Sequence, residues 1–456
     1  MNTEYTALVQ QQQHYFNTGA TKRIEFRIEQ LKKIKLVLKS NETALFTAIY
    51  NDFKKSEFET YTTELSVVYA EIDEAISKVK KWSSKKRVKT NLTNFPAISY
   101  IMPEPLGTTL VIGAWNYTYQ LSLVPAIAAI AAGNTVIIKP SELTPQASQL
   151  LLELINKNFD AEFLTVVNGG VETTTALLQQ KFDKIFFTGS IPVGKIVYQA
   201  AAAHLTPVTL ELGGKSPAFI TKNCTIDDSA KRLVWAKFLN AGQTCIAPDY
   251  VLVDSTVHDQ FLTAVKAYID KYNYAFENNN YVQIINDKNF VRLVNLIDTK
   301  KVYCGGNHRA NERYIAPTVI TNVTFNDKIM QEEIFGPLLP IISYTNLNDV
   351  IQQVKQLPKP LSCYVFTNDT TIKETILNQL SFGGGAINDA IMHFSNSALP
   401  FGGVGSSGIG SYHGEYGFKA FSHYKSILHK SFWFEPSFKY SPYSVFKLNL
   451  IKRIVG

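Results

Sequence analysis

The chain has 456 residues, 45% of them hydrophobic and 18% charged, with a formal net charge of +7. That length implies two or three domains, and the composition supplies a core and excludes global disorder. Lys and Arg are scattered among Asp and Glu, without the concentrated basic stripe of a nucleic-acid binder.

Residues 21 to 82 read as long amphipathic helices, with Ile24, Ile28, Leu31, Ile34, Leu36 and Leu38 mostly at three- and four-residue spacing among charges. Lys85-Lys86-Arg87 and Phe95-Pro96 mark a change of character. From Gly107 onward apolar strand-like runs alternate with helical ones: TTLVIG, LSLVPAIAAIAAG, NTVIIKP, a helix around Gln146 to Asn158, FLTVVNGG, KIFFTGS, VGKIVYQAAAAH and PVTLELGG. Strand–helix–strand repetition predicts right-handed crossovers and a parallel, doubly wound α/β sheet. A second α/β series begins near Ser216 with SPAFIT and continues through YVLVD, IISY and CYVFT. Two packed α/β domains should meet in a cleft that takes a ligand.

The most apolar stretch, Leu121 to Ile138, contains Pro125 and breaks at Gly133-Asn134, so it reads as a buried helix and strand rather than a membrane span. Cys224, Cys245, Cys304 and Cys363 are too few and too far apart for a disulfide framework, which suits a reducing compartment. The N-terminus, MNTEYTALVQQQQHYF, lacks the pattern of a secretory signal, and a cytoplasmic location is expected. No His, Cys and carboxylate cluster has metal-ligand spacing, so no metal is expected.

Three glycine-rich runs invite a phosphate reading. Gly189-Ser190-Ile191-Pro192-Val193-Gly194-Lys195 resembles a P-loop, but Ile196 stands where a Mg²⁺-binding Ser or Thr is needed. The run still joins a strand to a helix, whose N-terminal N–H groups would face a pyrophosphate. Gly403 to Gly408 spells GxGxxG yet lies late in the chain without a clear strand before it, and reads as a loop. Gly383-Gly384-Gly385 carries no specific signal.

LELGGKSP, Leu210 to Pro217, places Glu211 at the end of a buried strand beside two glycines, where desolvation would raise its pKa as a general base requires. A salt-bridged strand-end carboxylate is the alternative. Cys245 lies just beyond a predicted helix in a polar Gly-Gln-Thr turn, where a thiol is accessible, whereas most lone cysteines are inert core residues.

FFTGS with VGK, LELGGKSP, GQTCIAPDYVLV, QEEIFGP and LPFGGVGSSGIGSYHGEYGF, in this order, resemble the aldehyde dehydrogenase superfamily from about residue 20 to 430. GQTCIAPDY, KPSEL and YHGEYGF resemble its class 3 branch, which acts on fatty and aromatic aldehydes and whose bacterial members include one for a carotenoid-derived aldehyde. The resemblance implies that Cys245 is the nucleophile, Asn116 of Trp115-Asn116-Tyr117 an oxyanion donor with the Cys245 N–H, and Glu211 the base for thioester hydrolysis. It implies NAD or NADP as cofactor, with Lys139 and Glu142 near the adenine-side ribose, the Gly189-Ser190 to Gly194 turn at the pyrophosphate, Glu333 on the nicotinamide ribose and Phe335 near its ring. Tyr117, Trp235 and Ile391 would line an aldehyde tunnel, or equally be plain core. The usual proline after the aromatic residue is Thr118 here, which is expected to loosen the loop carrying Asn116.

The implied layout is a cofactor domain of residues 1–86 and 106–210, a catalytic domain of 211–421, oligomerisation strands at 87–105 and 422–431, and a tail of 432–456. The strands suggest a homodimer. The tail, SFWFEPSFKYSPYSVFKLNLIKRIVG, is aromatic and basic; it either packs on the dimer or lies in a membrane interface as a peripheral contact. Three rival functions remain: an acylating enzyme passing its thioester to coenzyme A, a Cys/His hydrolase using Cys245 with His413 or His393, and a non-catalytic protein that keeps the fold. Glu211 speaks against the first, the unused LELGGK and EEIFGP motifs against the second, and the intact set of Cys245, Glu211, Asn116 and Glu333 against the third.

Overall fold

The computed structural model describes residues 3–435 and 437–455. Strands Thr108–Ile112, Thr135–Lys139 and Lys184–Thr188 are buried along their whole length, as their unbroken apolar runs require of strands covered on both faces. Thr108–Ile112 is flanked on one side by Thr135–Lys139 and then Leu164–Val166, and on the other by Lys184–Thr188 and then Val208–Glu211, all parallel. Chain order therefore runs outward from Thr108–Ile112 in both directions. The crevice at the carboxyl ends of Thr108–Ile112 and Lys184–Thr188 is the switch point where such sheets bind ligands.

A second sheet orders Val302–Cys304, Thr318–Ile320, Leu338–Tyr344, Tyr250–Asp254, Pro217–Ile220, Ser362–Phe366 and Gly384–Ile387, parallel except for the first pair. The doubly wound sheet and the second α/β unit match the sequence reading. Two details differ from it. The Gly403 to Gly408 run ends in a short strand, Gly408–Ile409, that pairs antiparallel with Val208–Glu211. Gly384 and Gly385 form part of an edge strand, where a Cβ on Gly385 would lie 2.0 Å from the Cys363 carbonyl oxygen.

The N-terminal helices Ile24–Lys39, Glu42–Phe53 and Ser66–Trp82 bury Leu31, Ile34, Leu45, Ile49 and Ile72 against the fully buried helix Thr118–Ala132. Between Glu57–Thr60 and Ser66–Trp82 the backbone opens into a π-helical turn, Tyr61–Leu65. Lys86–Val88, Ala97–Pro105 and Ser422–Lys430 make a separate antiparallel sheet. Beyond it, Phe432, Trp433, Tyr443, Val445 and Phe446 are exposed, the last two on a helix, Val445–Val455. Among the described residues no helix is long and apolar enough to cross a membrane.

Candidate active site

Asn116 sits in the turn between strand Thr108–Ile112 and helix Thr118–Ala132, directly above the switch point. It is buried, and its side-chain amide donates to the Gln243 carbonyl at 3.1 Å. An amide nitrogen carries two hydrogens, so one donor remains for another acceptor. Against the loosening expected from Thr118 stand two side-chain contacts. Its hydroxyl donates to the Trp115 carbonyl at 2.8 Å and lies 2.9 Å from the Thr144 hydroxyl, so hydrogen bonds do here what a ring would do by fixing φ.

The Cys245 loop follows helix Ile226–Phe238. Asn240, Ala241 and Gly242 take φ of 53°, 51° and 72° in succession. Left-handed backbone costs a non-glycine residue roughly 1–2 kcal/mol, and a dense set of bonds holds it. The Asn240 N–H donates to Glu59 Oε1 at 2.6 Å, and its side-chain amide donates to the carbonyls of Asn116 and Gln243, both at 3.1 Å. The Gln243 side chain donates to the Gln283 carbonyl and accepts from the Ile285 N–H, each at 3.0 Å. Tyr117 and Thr244 join hydroxyls at 2.6 Å.

Cys245 thereby reaches a cavity of about 470 Å³ whose lining also includes Glu211, Tyr117, Trp235 and Ile391. Burial pushes the Cys245 thiol up, and the carboxylates of Glu333 and Glu211 add to this. Phe58, Val67, Leu121, Tyr274, Phe394 and Phe401 complete a mostly apolar lining. Trp235, like Phe58, is an exposed member of this lining. Ile391 takes φ 56°, an outlier for a β-branched residue. Glu211, at the end of Val208–Glu211, is buried with neither carboxylate oxygen hydrogen-bonded. Burial alone holds its carboxyl well above the usual range. The salt-bridge alternative for Glu211 is absent among the described residues.

The cofactor residues lie around the same switch point. Ser190 caps helix Ile191–Ala202 without a side-chain hydrogen bond, leaving the first-turn N–H groups facing outward from the strand end, where an anion is stabilised. A Cβ on Gly194 would lie 2.6 Å from Leu212, so that glycine lets helix and strand approach, while Gly189 packs on the Phe187 ring. The buried Thr188 hydroxyl has no partner. Lys139, at the end of its strand, pairs with the half-exposed Glu142 at 2.9 Å. Glu333 lies over Gly213, where a Cβ would be 2.0 Å from its Oε2. Its carboxyl is pushed up to about 8, chiefly by burial, with Asp249 adding. Phe335 meets Trp115, next to Asn116, edge-on at 5.5 Å. The orphaned Thr188 hydroxyl, the anion-ready helix start and the acid–base pair at the next strand end together fit a dinucleotide.

Three buried charged residues escaped the sequence reading: Lys55 and Glu64 behind the Asn116 loop, and Glu59 on the lining of the cavity. Lys55 and Glu64 are nine residues apart and pair at 2.6 Å only because the π-helical turn intervenes, so helical periodicity gives no hint of them. The histidines of the hydrolase alternative do not serve Cys245. Burial pushes His393 down to about 4 and His413 down to about 3, and His393 Nδ1 and His413 Nε2 have no hydrogen-bond partner. Among the described residues no group of His, Cys, Asp and Glu is arranged to hold a metal.

A Rossmann-like sheet whose switch point meets a cysteine and an unpaired buried glutamate in one apolar cavity has the layout of a dinucleotide-dependent oxidoreductase. The aldehyde dehydrogenase family model matches residues 2–427, and the chain belongs to that family. It is 47% identical to a 4,4'-diaponeurosporen-aldehyde dehydrogenase of Staphylococcus aureus, over 94% of each chain. It is 44% identical to aldehyde dehydrogenase family 3 member A2 of Pongo abelii, over 91% of this chain and 86% of that one. The solved substrate-bound state of Staphylococcus aureus AldH superposes with a TM-score of 0.96 at 45% identity, covering 99% of both chains. These class 3 relatives place the chain in the branch that its motifs resemble, and its cofactor is NAD or NADP.

Proposed function

We propose that the protein oxidises an apolar aldehyde, of medium or long chain, polyene or aromatic, to its carboxylic acid. The observation that carries this reading is that Cys245 and the unpartnered carboxyl of Glu211 open into one apolar-walled cavity. The diaponeurosporen-aldehyde dehydrogenase relative supports a polyene aldehyde as one member of the class.

Cys245 gives its thiol proton to water in the cavity and its thiolate attacks the aldehyde carbon, and the new oxyanion is held by the Cys245 N–H and the second amide hydrogen of Asn116. When bound, the dinucleotide would supply the hydride acceptor and a positive charge at its oxidised nicotinamide, with Lys139 and Glu142 at the adenine-side ribose, the Gly189-Ser190 to Gly194 turn at the pyrophosphate, and Glu333 and Phe335 at the nicotinamide end. Cys245 then carries the acyl group as a thioester. Glu211 takes a proton from water as that water attacks the thioester carbon; the C–S bond breaks and the acid leaves. Hydrolysis by Glu211 argues against transfer to coenzyme A.

Absorbance at 340 nm tests this with purified protein, dodecanal, benzaldehyde and propanal, each with NAD and with NADP. Reduction that requires Cys245, needs no coenzyme A and favours the apolar substrates is expected. Full activity in Cys245→Ser, or no reduction with any pair, refutes it.

We further propose a cytoplasmic homodimer whose small antiparallel sheet pairs subunits and whose tail contacts membrane. The exposed Phe432, Trp433 and Phe446, with Lys439, Lys447, Lys452 and Arg453 nearby, support an interfacial contact with anionic lipid. Co-sedimentation with phosphatidylserine vesicles should be lost on deleting residues 432–456. Intact protein that leaves the vesicles unbound rules the contact out.

A further inference from the structure

Behind the Asn116 loop lies a cluster of three charged side chains from the N-terminal helices. Lys55 and Glu64 are wholly buried and Glu59 nearly so. The Lys55 ammonium directs its donors to three groups: Glu64 Oε1 at 2.6 Å, the main-chain oxygen of Asn116 at 3.4 Å, and the face of the Tyr117 ring, 4.1 Å from its centroid. The other Glu64 oxygen accepts the Tyr119 N–H at 2.8 Å, in the first turn of helix Thr118–Ala132. Glu59 Oε1 accepts the Asn240 N–H at 2.6 Å, and the Asn240 amide returns to the same Asn116 oxygen.

The Asn116 carbonyl is thus held by two donors, one from the N-terminal segment and one from the Cys245 loop. The same two segments are tied to each other through Glu59. A buried ion pair contributes little net stability compared with apolar residues of the same volume, because desolvation offsets its attraction. What it supplies is direction: each member has a defined geometry, and the extra residue of the π-helical turn aims Glu64 at Lys55.

We propose that Lys55, Glu64 and Glu59 are positioning residues for hydride transfer. They lock the Asn116 backbone into the frame of the Gln243-Thr244-Cys245 segment, so that amide and thiol address one carbonyl group of the aldehyde. This rests on the reading of Asn116 as an oxyanion donor, and the experiment separates the two.

The rate of the first 340 nm burst is measured at saturating cofactor and dodecanal for wild type, for Asn116→Ala, for Lys55→Met with Glu64→Gln, and for all three changes together. The paired change removes one positive and one negative charge and so leaves the net charge of the cluster unchanged. A displacement on the order of 1 Å costs about 100-fold in rate, and that loss is expected, while the aldehyde KM and the rate of Cys245 alkylation by iodoacetamide stay within about threefold. In the Asn116→Ala background the paired change should cost less than about threefold, because two residues acting through one group are not additive. Asn240→Gly suits the left-handed φ and removes both amide bonds; it is expected to slow the burst about tenfold and decides the matter if the paired variant does not fold. A burst within threefold of wild type in the folded variants, or equal slowing with and without Asn116, overturns the clamp while leaving the Asn116 reading intact. A normal burst in Asn116→Ala overturns the oxyanion reading and the clamp with it.

Discussion

Gly408 pairs directly opposite Glu211 across two antiparallel strands, and a Cβ there would lie 2.4 Å from the Leu210 carbonyl oxygen. The glycine lets the late glycine-rich run close against the strand that ends in the proposed base, while the Leu212 N–H donates to the Ser407 carbonyl at 3.1 Å just beyond it. Glu211→Gln should show a full first burst and then turn over about 10²–10⁴-fold more slowly, the usual range for a general base. An acyl adduct on Cys245, read by intact mass, is the expected companion. Gly408→Val should slow the same hydrolytic step by displacing the Leu210–Leu212 backbone, with the burst retained.

Glu333 gives a pH signature in stability. Its folded value of about 8 lies above an unfolded glutamate's roughly 4.3. The folded state binds more protons between those values, so this group's contribution is whole below about pH 4.3 and is lost as pH rises through 8. Glu333→Gln should therefore melt about 1 °C or more above wild type at pH 8.5, the shift expected of about 1 kcal/mol in a chain of this size, with the difference vanishing near pH 4. Calorimetry of the cofactor-free protein at the two pH values checks it.

Glu142 is half-exposed beside Lys139. A carboxylate there repels a ribose 2′-phosphate, and like charges about 4 Å apart cost roughly 1 kcal/mol in water and more near protein. Glu142→Gln should raise the NADP to NAD ratio of kcat/KM about tenfold. An unchanged ratio places the ribose elsewhere.

Trp235 stands at the exposed part of the aldehyde cavity. Covering a long apolar chain with an aromatic side chain is worth about 1.5–3 kcal/mol. Trp235→Ala should raise KM about tenfold or more for dodecanal and leave propanal nearly unchanged. Equal effects on both substrates would make Trp235 plain core.

Thr118 offers a direct comparison between two ways of stiffening a turn. Thr118→Val removes the bonds to Trp115 and Thr144, leaving a buried carbonyl without that donor at a cost of about 1–3 kcal/mol. Thr118→Pro also loses the hydroxyl but recovers a fixed φ at the first helical position, where proline is tolerated. Urea denaturation should rank wild type above the proline variant and that above the valine variant.

How much of this was legible in the chain differs residue by residue. The doubly wound sheet followed from apolar runs such as KIFFT and TVIIK, because a strand buried on both faces has no polar alternation to hide. Cys245, Glu211 and Asn116 stand out in the chain as candidates because each sits in a short motif, and the fold brings Cys245 and Glu211 to one cavity. Lys55, Glu59 and Glu64 were not, since a charge in a helical segment ordinarily points to water, and only the π-helical turn and the packing of residues 52–65 against the Asn116 loop turn these three inward. The shape of the aldehyde cavity was equally closed to sequence reasoning. Phe58, Tyr274 and Phe401 come from distant parts of the chain, and the apolar surface that drives each inward says nothing of which neighbours it meets. The sequence by itself determined the strand and helix periods and the short motifs that carry the candidate reacting groups, which depend on local covalent order; the tertiary structure alone decided which buried charges face one another, because burial and partner choice are properties of long-range packing.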